Sequence, residues 1–227
     1  MEKMKQSNHA NAYMKSPRYQ EYREQMLAKG GFEDDWDRQV KLGDNLLNKD
    51  KFYSQRLNDG GIMSFETRED WEWKTVSLTE LLKDRRVVIF GLPGAFTPTC
   101  STQQLPNFEL NYEKFMEKGI DDVLCVSVND TFVMNAWLKN SFIEKVKPIP
   151  DGNCEFTTAL GLDVDKSDLG FGRRSWRYAM VVDNGIVQIL EIEDGFPANK
   201  DNPDPYEVST PQNILSLLDV WYDLNID

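Results

Sequence analysis

Apolar and polar positions change pattern near residue 60. Before it, apolar side chains are scattered among charges and no run reads as a strand. Ser16-Pro17 marks a helix start, with Tyr19, Tyr22 and Met26 at helical spacing and Gly30-Gly31 as the stop. A second helix is predicted over 34–48, with Trp36, Val40 and Leu47, and a third over 49–57 ahead of Gly60-Gly61. Residues 1–60 therefore read as a helical N-terminal extension, and 61–227 as a separate domain. In that domain, strands are predicted at 62–67, 86–92, 123–128, 178–182 and 186–192. Helices are predicted at 78–83, 99–118, 131–142, 154–160 and 211–222.

The run Arg86-Val-Val-Ile-Phe-Gly-Leu92 is apolar without alternation, as in a central strand buried on both faces. Asn184-Gly185 joins the last two strands, and both turn residues tolerate positive φ, so these strands form a hairpin. A β-α-β-α-β order followed by a hairpin and a terminal helix predicts an α/β domain with a mixed central sheet flanked by helices. The thioredoxin fold is built this way.

Composition narrows the function. With 26 Lys and Arg against 38 Asp and Glu, the formal charge is -12, which opposes attraction to nucleic acid or an anionic membrane. No apolar run approaches a membrane span, and no basic-then-apolar leader opens the chain. Glu2, Glu21 and Glu24 argue against a mitochondrial transit peptide, so the expected compartment is the cytosol. Cys100, Cys125 and Cys154 form no C-x-x-C pair, so neither a disulfide framework nor a zinc ribbon is expected. The single histidine, His9, lies in a polar tail and reads as solvated, which argues against a Cys-His pair or a multi-histidine metal site.

Chemistry concentrates where the strand at 86–92 meets Pro93-Gly-Ala-Phe-Thr-Pro-Thr-Cys-Ser101. This places one thiol at a helix start and at the carboxyl edge of the sheet, where α/β folds hold their sites. The positive end of a helix favours thiolate, and free N–H groups of the first turn can cradle negative charge. Where a dithiol protein would have C-x-x-C, Thr97-Pro-Thr-Cys100 has a hydroxyl in place of the first thiol. A single nucleophile remains, suited to attack on an electrophilic oxygen and conversion to a sulfenic acid. Thr99 reads as a helix cap. Cys125, inside Val123-Leu-Cys-Val-Ser-Val128, reads as a core thiol. Cys154 follows Asp151-Gly-Asn153 at an exposed helix start and is either incidental or a resolving or regulatory thiol. Arg173 and Arg174 read as a solvated patch, and Trp71, Trp73, Trp176 and Tyr178 as packing aromatics.

The pattern Pro93-x-x-x-Thr97-x-x-Cys100 resembles the peroxidatic signature of the peroxiredoxins. The longer run through Ser101 and Cys125-Val-Ser-Val-Asn-Asp130 resemble the type-five subfamily. So do Phe132-Val-Met-Asn-Ala-Trp137, Pro150-Asp-Gly-Asn153 and Asp168-Leu-Gly-Phe-Gly-Arg-Arg-Ser-Trp-Arg-Tyr178. The similarity covers about residues 61–224 and is greatest to bacterial members that use glutathione or are fused to glutaredoxin. It implies Cys100 as peroxidatic nucleophile, and Thr97 as the hydroxyl that orients the peroxide and contacts the thiolate. It also implies Arg177 as the active-site arginine just before a strand, and Pro93 as the shield against bulk water. A guanidinium beside Cys100 favours thiolate and stabilises charge on a departing oxygen.

The chain departs from some type-five members at 206–209, where a resolving cysteine is absent. A one-cysteine cycle follows, with hydrogen peroxide or small alkyl hydroperoxides as substrates and no metal, haem or flavin. The reductant is an external thiol, glutathione with or without glutaredoxin, with thioredoxin as the alternative. The resemblance further implies a homodimer. Two other readings stay open: a peroxide sensor or redox relay acting through residues 1–60, and a thioredoxin-reduced peroxidase with Cys154 as resolving thiol. A thiol–disulfide oxidoreductase is opposed by the missing C-x-x-C.

Overall fold

The computed structural model describes residues 39–47, 64–69, 72–196 and 204–224, with 64–69, 72, 73 and 222–224 described as backbone. Its elements run β1 (Ser64–Glu69), β2 (Glu72–Ser77), α1 (Leu78–Leu82), β3 (Arg86–Leu92), a π-helical turn (Cys100–Gln104), α2 (Leu105–Leu110) and α3 (Tyr112–Glu117). Then come β4 (Asp122–Ser127), α4 (Thr131–Asn140), β5 (Lys147–Pro150), α5 (Glu155–Ala159), β6 (Asp163–Asp165) and a 3-10 turn (Ser167–Leu169). The chain continues through β7 (Arg173–Ser175), β8 (Tyr178–Asp183), β9 (Ile186–Ile192) and α6 (Pro211–Leu224).

The central sheet has five strands in the order β5-β4-β3-β8-β9. β4 runs parallel to β3 and β5, whereas β8 is antiparallel to both β3 and β9. This is the mixed sheet of a thioredoxin-like fold, flanked by helices as the order of apolar runs predicts. β3 is buried along its whole length because successive side chains enter two cores. Val87 and Ile89 pack with Leu124, Phe156, Tyr178 and Met180. On the other face Val88 and Phe90 pack with Cys125, Phe108, Phe115, Trp137 and Ile214. Phe90 stacks on Phe108 with ring centroids 4.0 Å apart. Gly91 interrupts the apolar run for a steric reason: a Cβ there would lie 2.1 Å from the Tyr178 ring on β8.

Several elements differ from the expectations. The predicted strand at 62–67 is β1, which pairs with a second strand, β2, that its polar sequence concealed. β5, Lys-Pro-Ile-Pro, was not expected because proline cannot donate to a ladder; it is tolerated here at a sheet edge. β6 and β7, at three residues each, are too short to show periodicity. The predicted single helix at 99–118 is instead the π-helical turn, α2 and α3, with a break at Asn111 (φ -100°, ψ 6°).

The predicted helix at 34–48 is not helical over the described residues 39–47, which form turns and an isolated bridge from Asn45 to Ile186. Backbone hydrogen bonds tie this segment to the domain: Val40 N–H to Leu160 O, Gly43 N–H to Val187 O, and Leu46 N–H to Gly185 O. Val40 and Leu46 are buried in the same core as β3. The hairpin turn below has the expected positive φ at Asn184 (45°) and Gly185 (82°). A Cβ on Gly185 would also meet Leu47 at 2.8 Å, so glycine serves both turn and packing. The other predicted helices of the extension, and Trp71, lie outside the described residues.

Candidate active site

β3 delivers the chain to buried Pro93, and the loop turns back so that Thr97 N–H donates to Gly94 O at 3.4 Å. Phe96, at the tip, has φ 62° and is exposed. Pro98 and Thr99 are already helical, and Ser101 N–H donates to Thr97 O at 3.0 Å. Proline suits this first helical position, having no N–H to satisfy. Thr99 does not cap: its backbone is helical and its side chain makes no capping bond. The loop is braced by Asn129, whose Oδ1 accepts from Ala95 N–H at 2.9 Å and from Ser127 Oγ at 2.7 Å. Arg174 adds a brace by donating to Val128 O at 3.2 Å and to Phe171 O at 2.9 Å.

Cys100 opens the π-helical turn and is 1% exposed. Arg177, just ahead of β8 and equally buried, points a guanidinium Nη1 at its sulfur, 3.5 Å away. The same Nη1 donates to Gln104 Oε1, while Nη2 pairs with Asp204 and the guanidinium lies 5.6 Å from the Tyr206 ring centroid. Gln104, fully buried, donates from Nε2 to Gly91 O at 3.3 Å, fixing which way its oxygen faces. Arg177 Nε is buried and has no hydrogen-bond partner among the described residues. Burial works against the charge on Arg177, but Cys100 and Asp204 outweigh it and hold the guanidinium above its ordinary value. Lys166, whose ammonium lies 5.1 Å from the Trp176 ring centroid, is pulled below its ordinary value by burial, against the opposing charges of Asp204 and Asp168.

Thr97 is in the same loop, but its hydroxyl donates to Gly94 O at 2.8 Å rather than to the sulfur. The expected contact between this hydroxyl and the thiolate is therefore replaced by a local turn bond. Ser101, beside Cys100, accepts a hydrogen bond from Trp137 Nε1 at 3.0 Å, which ties the π-helical turn to α4. Arg173 stands apart, paired with Asp163.

The other two thiols are packed away. Cys125 lies in β4, and burial, with Cys100 nearby, pushes its thiol well above the ordinary value. Cys154 is not exposed as expected: it is 6% exposed, has φ 59°, and accepts from Thr158 Oγ1 at 3.7 Å. Burial pushes its thiol up to about 11. All three cysteines are free. Among the described residues no group of three His, Cys, Asp or Glu could hold a metal ion, and no helix is long and apolar enough to cross a membrane.

A family model described as Redoxin matches residues 64–205. A peroxiredoxin of Rhizobium etli is 49% identical over 166 residues, 69% of this chain and 92% of that protein. The chain belongs to the peroxiredoxin family. A hybrid peroxiredoxin of Haemophilus influenzae is 47% identical over 156 residues, covering 69% of this chain and 63% of that one. The crystal structure of a reduced Prx3 of Vibrio vulnificus in complex with hydrogen peroxide superposes with a TM-score of 0.66 at 35% identity, over 79% of this chain and 99% of that one. A Plasmodium falciparum antioxidant protein, titled a 1-Cys peroxiredoxin, gives 0.68 at 31% identity, over 80% of this chain and 99% of that one. The residues of this peroxiredoxin that sequence reasoning missed are Asn129, Gln104, Lys166, Asp204 and Tyr206. Asn129, Gln104, Asp204 and Tyr206 meet the Cys100 loop or Arg177 only through the fold, and Lys166 lies over the ring of Trp176 beside Arg177.

Proposed function

We propose that this chain is a one-cysteine, type-five peroxiredoxin that reduces hydrogen peroxide and small alkyl hydroperoxides, with Cys100 as the peroxidatic nucleophile. The observation that carries the reading is the buried guanidinium of Arg177, 3.5 Å from the Cys100 sulfur. Cys100 thiolate attacks one peroxide oxygen; the S–O bond forms as the O–O bond breaks, leaving a sulfenic acid and releasing water or an alcohol after protonation. Arg177 stabilises the thiolate beforehand and the charge on the departing oxygen during the step. Its unpartnered Nε is a donor available to a second oxygen. Because Thr97 has spent its proton on Gly94 O, its oxygen is left to accept from the O–H of the peroxide. Buried Pro93 limits water beside the thiol.

Burial holds the Cys125 thiol well above its ordinary value and pushes Cys154 up to about 11, away from thiolate, which supports a cycle in which neither acts as resolving thiol. The sulfenic acid is then reduced by an external thiol: one thiol displaces water to form a mixed disulfide, and a second releases Cys100 by exchange. Glutathione, with or without glutaredoxin, is the favoured reductant, with no metal or organic cofactor. Exchange requires access to a sulfur that is 1% exposed, so the π-helical turn opens after oxidation. A homodimer completes the proposal, and the exposed rings of Phe96 and Phe171 offer apolar surface for it.

A steady-state peroxidase assay with glutathione, glutathione plus glutaredoxin, or thioredoxin tests this reading. Cys100→Ser is expected to abolish turnover with every reductant, and Cys154→Ser to leave it unchanged. Retained turnover in Cys100→Ser would overturn the nucleophile; loss in Cys154→Ser would overturn the one-cysteine cycle.

A further inference from the structure

Glu193 is a carboxylate that the proposed chemistry does not use, and it is 1% exposed. It follows β9 and joins two parts of the molecule. Its backbone N–H donates to Arg177 O at 3.1 Å, and its carbonyl accepts from Trp176 Nε1 at 2.8 Å. Its Oε1 gathers the backbone N–H groups of Glu207, Val208 and Ser209 at 2.9, 3.0 and 2.8 Å, together with the Ser209 hydroxyl at 2.7 Å. Four donors on one buried oxygen fix the segment at 204–209, because each N–H would otherwise lose a partner. That segment carries Asp204 and Tyr206, which hold the far side of the Arg177 guanidinium.

We propose that Glu193 is a positioning residue for the peroxidatic step: by anchoring the 204–209 segment it keeps the Asp204 carboxylate on Arg177, so that the guanidinium is shared between Asp204 and Cys100. The carboxylate does two things there. It aims the guanidinium, whose other edge meets Gln104 and the sulfur. It also competes with the sulfur for the same positive charge, since both lie on the one guanidinium. Lys166, Tyr206 and Cys125 are the other titratable groups close to this pair. The inference rests on Cys100 being the reacting thiol, but its test reads the thiol without peroxide.

The experiment follows the pH profile of Cys100 alkylation by iodoacetamide, with the modified residue identified by mass spectrometry, in the full chain. Asp204→Asn is expected to move the profile down by roughly half a pH unit or more, the effect of removing one nearby negative charge. It should also lower kcat/KM for hydrogen peroxide by about tenfold, because the guanidinium keeps its charge beside the sulfur but no longer holds Nε toward the departing oxygen. Glu193→Ala is expected to produce the same two changes, and to add nothing when Asp204 is already asparagine. Should Glu193→Ala fail to fold, Glu193→Gln, which retains an acceptor oxygen but no charge, is expected to give a smaller shift in the same direction.

An unshifted profile in Asp204→Asn would overturn the proposal. So would a full Glu193→Ala shift in the Asp204→Asn background, or a fall in melting temperature with the profile unmoved. These failures are distinct from failure of the peroxidase reading, which Cys100→Ser turnover decides separately.

Discussion

Two buried charge clusters sit at opposite ends of the central strands, and their composition is nearly inverted. At the start of β4, Asp122 is a buried anion held by two cations, Arg85 Nη2 at 2.9 Å and Lys147, and by a hydrogen bond from the Tyr112 hydroxyl at 3.3 Å. At the other end, Arg177 is a buried cation held by Cys100, Gln104 and Asp204. In the Asp122 cluster, Tyr112 is pushed up to about 12 by burial and then by Asp122. The Arg177 cluster contains a thiol and a buried N–H that has no hydrogen-bond partner among the described residues. A buried charge by itself therefore does not mark a site; what sets the Arg177 end apart is the thiol 3.5 Å from the guanidinium.

Substitution at each end should separate the two. Arg177→Ala is expected to reduce kcat/KM for peroxide by about 10²- to 10³-fold, the loss seen when a donor to developing charge is removed. Asp122→Asn is expected to leave the kinetics of the folded protein near those of the parent. It should lower unfolding free energy in urea by about 2 kcal/mol, less than for a fully buried pair because Arg85 and Lys147 reach solvent. A kinetic loss in Asp122→Asn matching that of Arg177→Ala would break the comparison.

A third carboxyl extends the contrast. Glu191 faces Glu193 and the Asn213 side chain, and burial, then the Glu193 charge, raises it from 4.5 to about 7. A raised carboxyl favours the protonated folded state, so its stabilising contribution is full below about 4.5 and is lost as pH rises through about 7. Urea unfolding of the parent should weaken by about 2 kcal/mol across that window, and Glu191→Gln should flatten the slope. Thr97→Val should lower kcat/KM by about tenfold, with Thr97→Ser recovering most of it, because the hydroxyl alone supplies the acceptor. The smallest effect is expected in Trp137→Phe. Loss of the bond to Ser101 should cost about 1 kcal/mol and speed amide exchange in the π-helical turn, leaving α6 unchanged.

Legibility from sequence follows the same division between local and distant relations. Cys100, Thr97 and Pro93 lie within eight positions of one another, so their pattern survives in the linear chain. Arg177 was legible only through the resemblance of Asp168-Leu-Gly-Phe-Gly-Arg-Arg-Ser-Trp-Arg-Tyr178 to the peroxiredoxin pattern. β3, β4, β8 and β9 announced themselves through unbroken or alternating apolar residues. Gln104 and Asp204 gave no such signal, since a polar residue in a helix or loop looks solvated until the fold supplies its partner, and Asn129 was carried only inside the run Cys125-Val-Ser-Val-Asn-Asp130, without a role. The bond that Thr97 makes to Gly94 was equally hidden: it depends on the turn geometry around Phe96, not on residue type. β5 was obscured by prolines whose meaning changes at a sheet edge.

The clasp formed by residues 39–47 bears on how this protein can be cut. The matched family region begins at residue 64, yet Val40 and Leu46 lie in the core beneath the hairpin. A truncation placed at the family boundary would strip two buried side chains, each worth about 1.5–3 kcal/mol, and open the β9 edge. A chain beginning at residue 61 is accordingly expected to unfold at lower urea concentration than one beginning at residue 39, since only the second keeps the backbone bonds from Val40, Gly43 and Leu46.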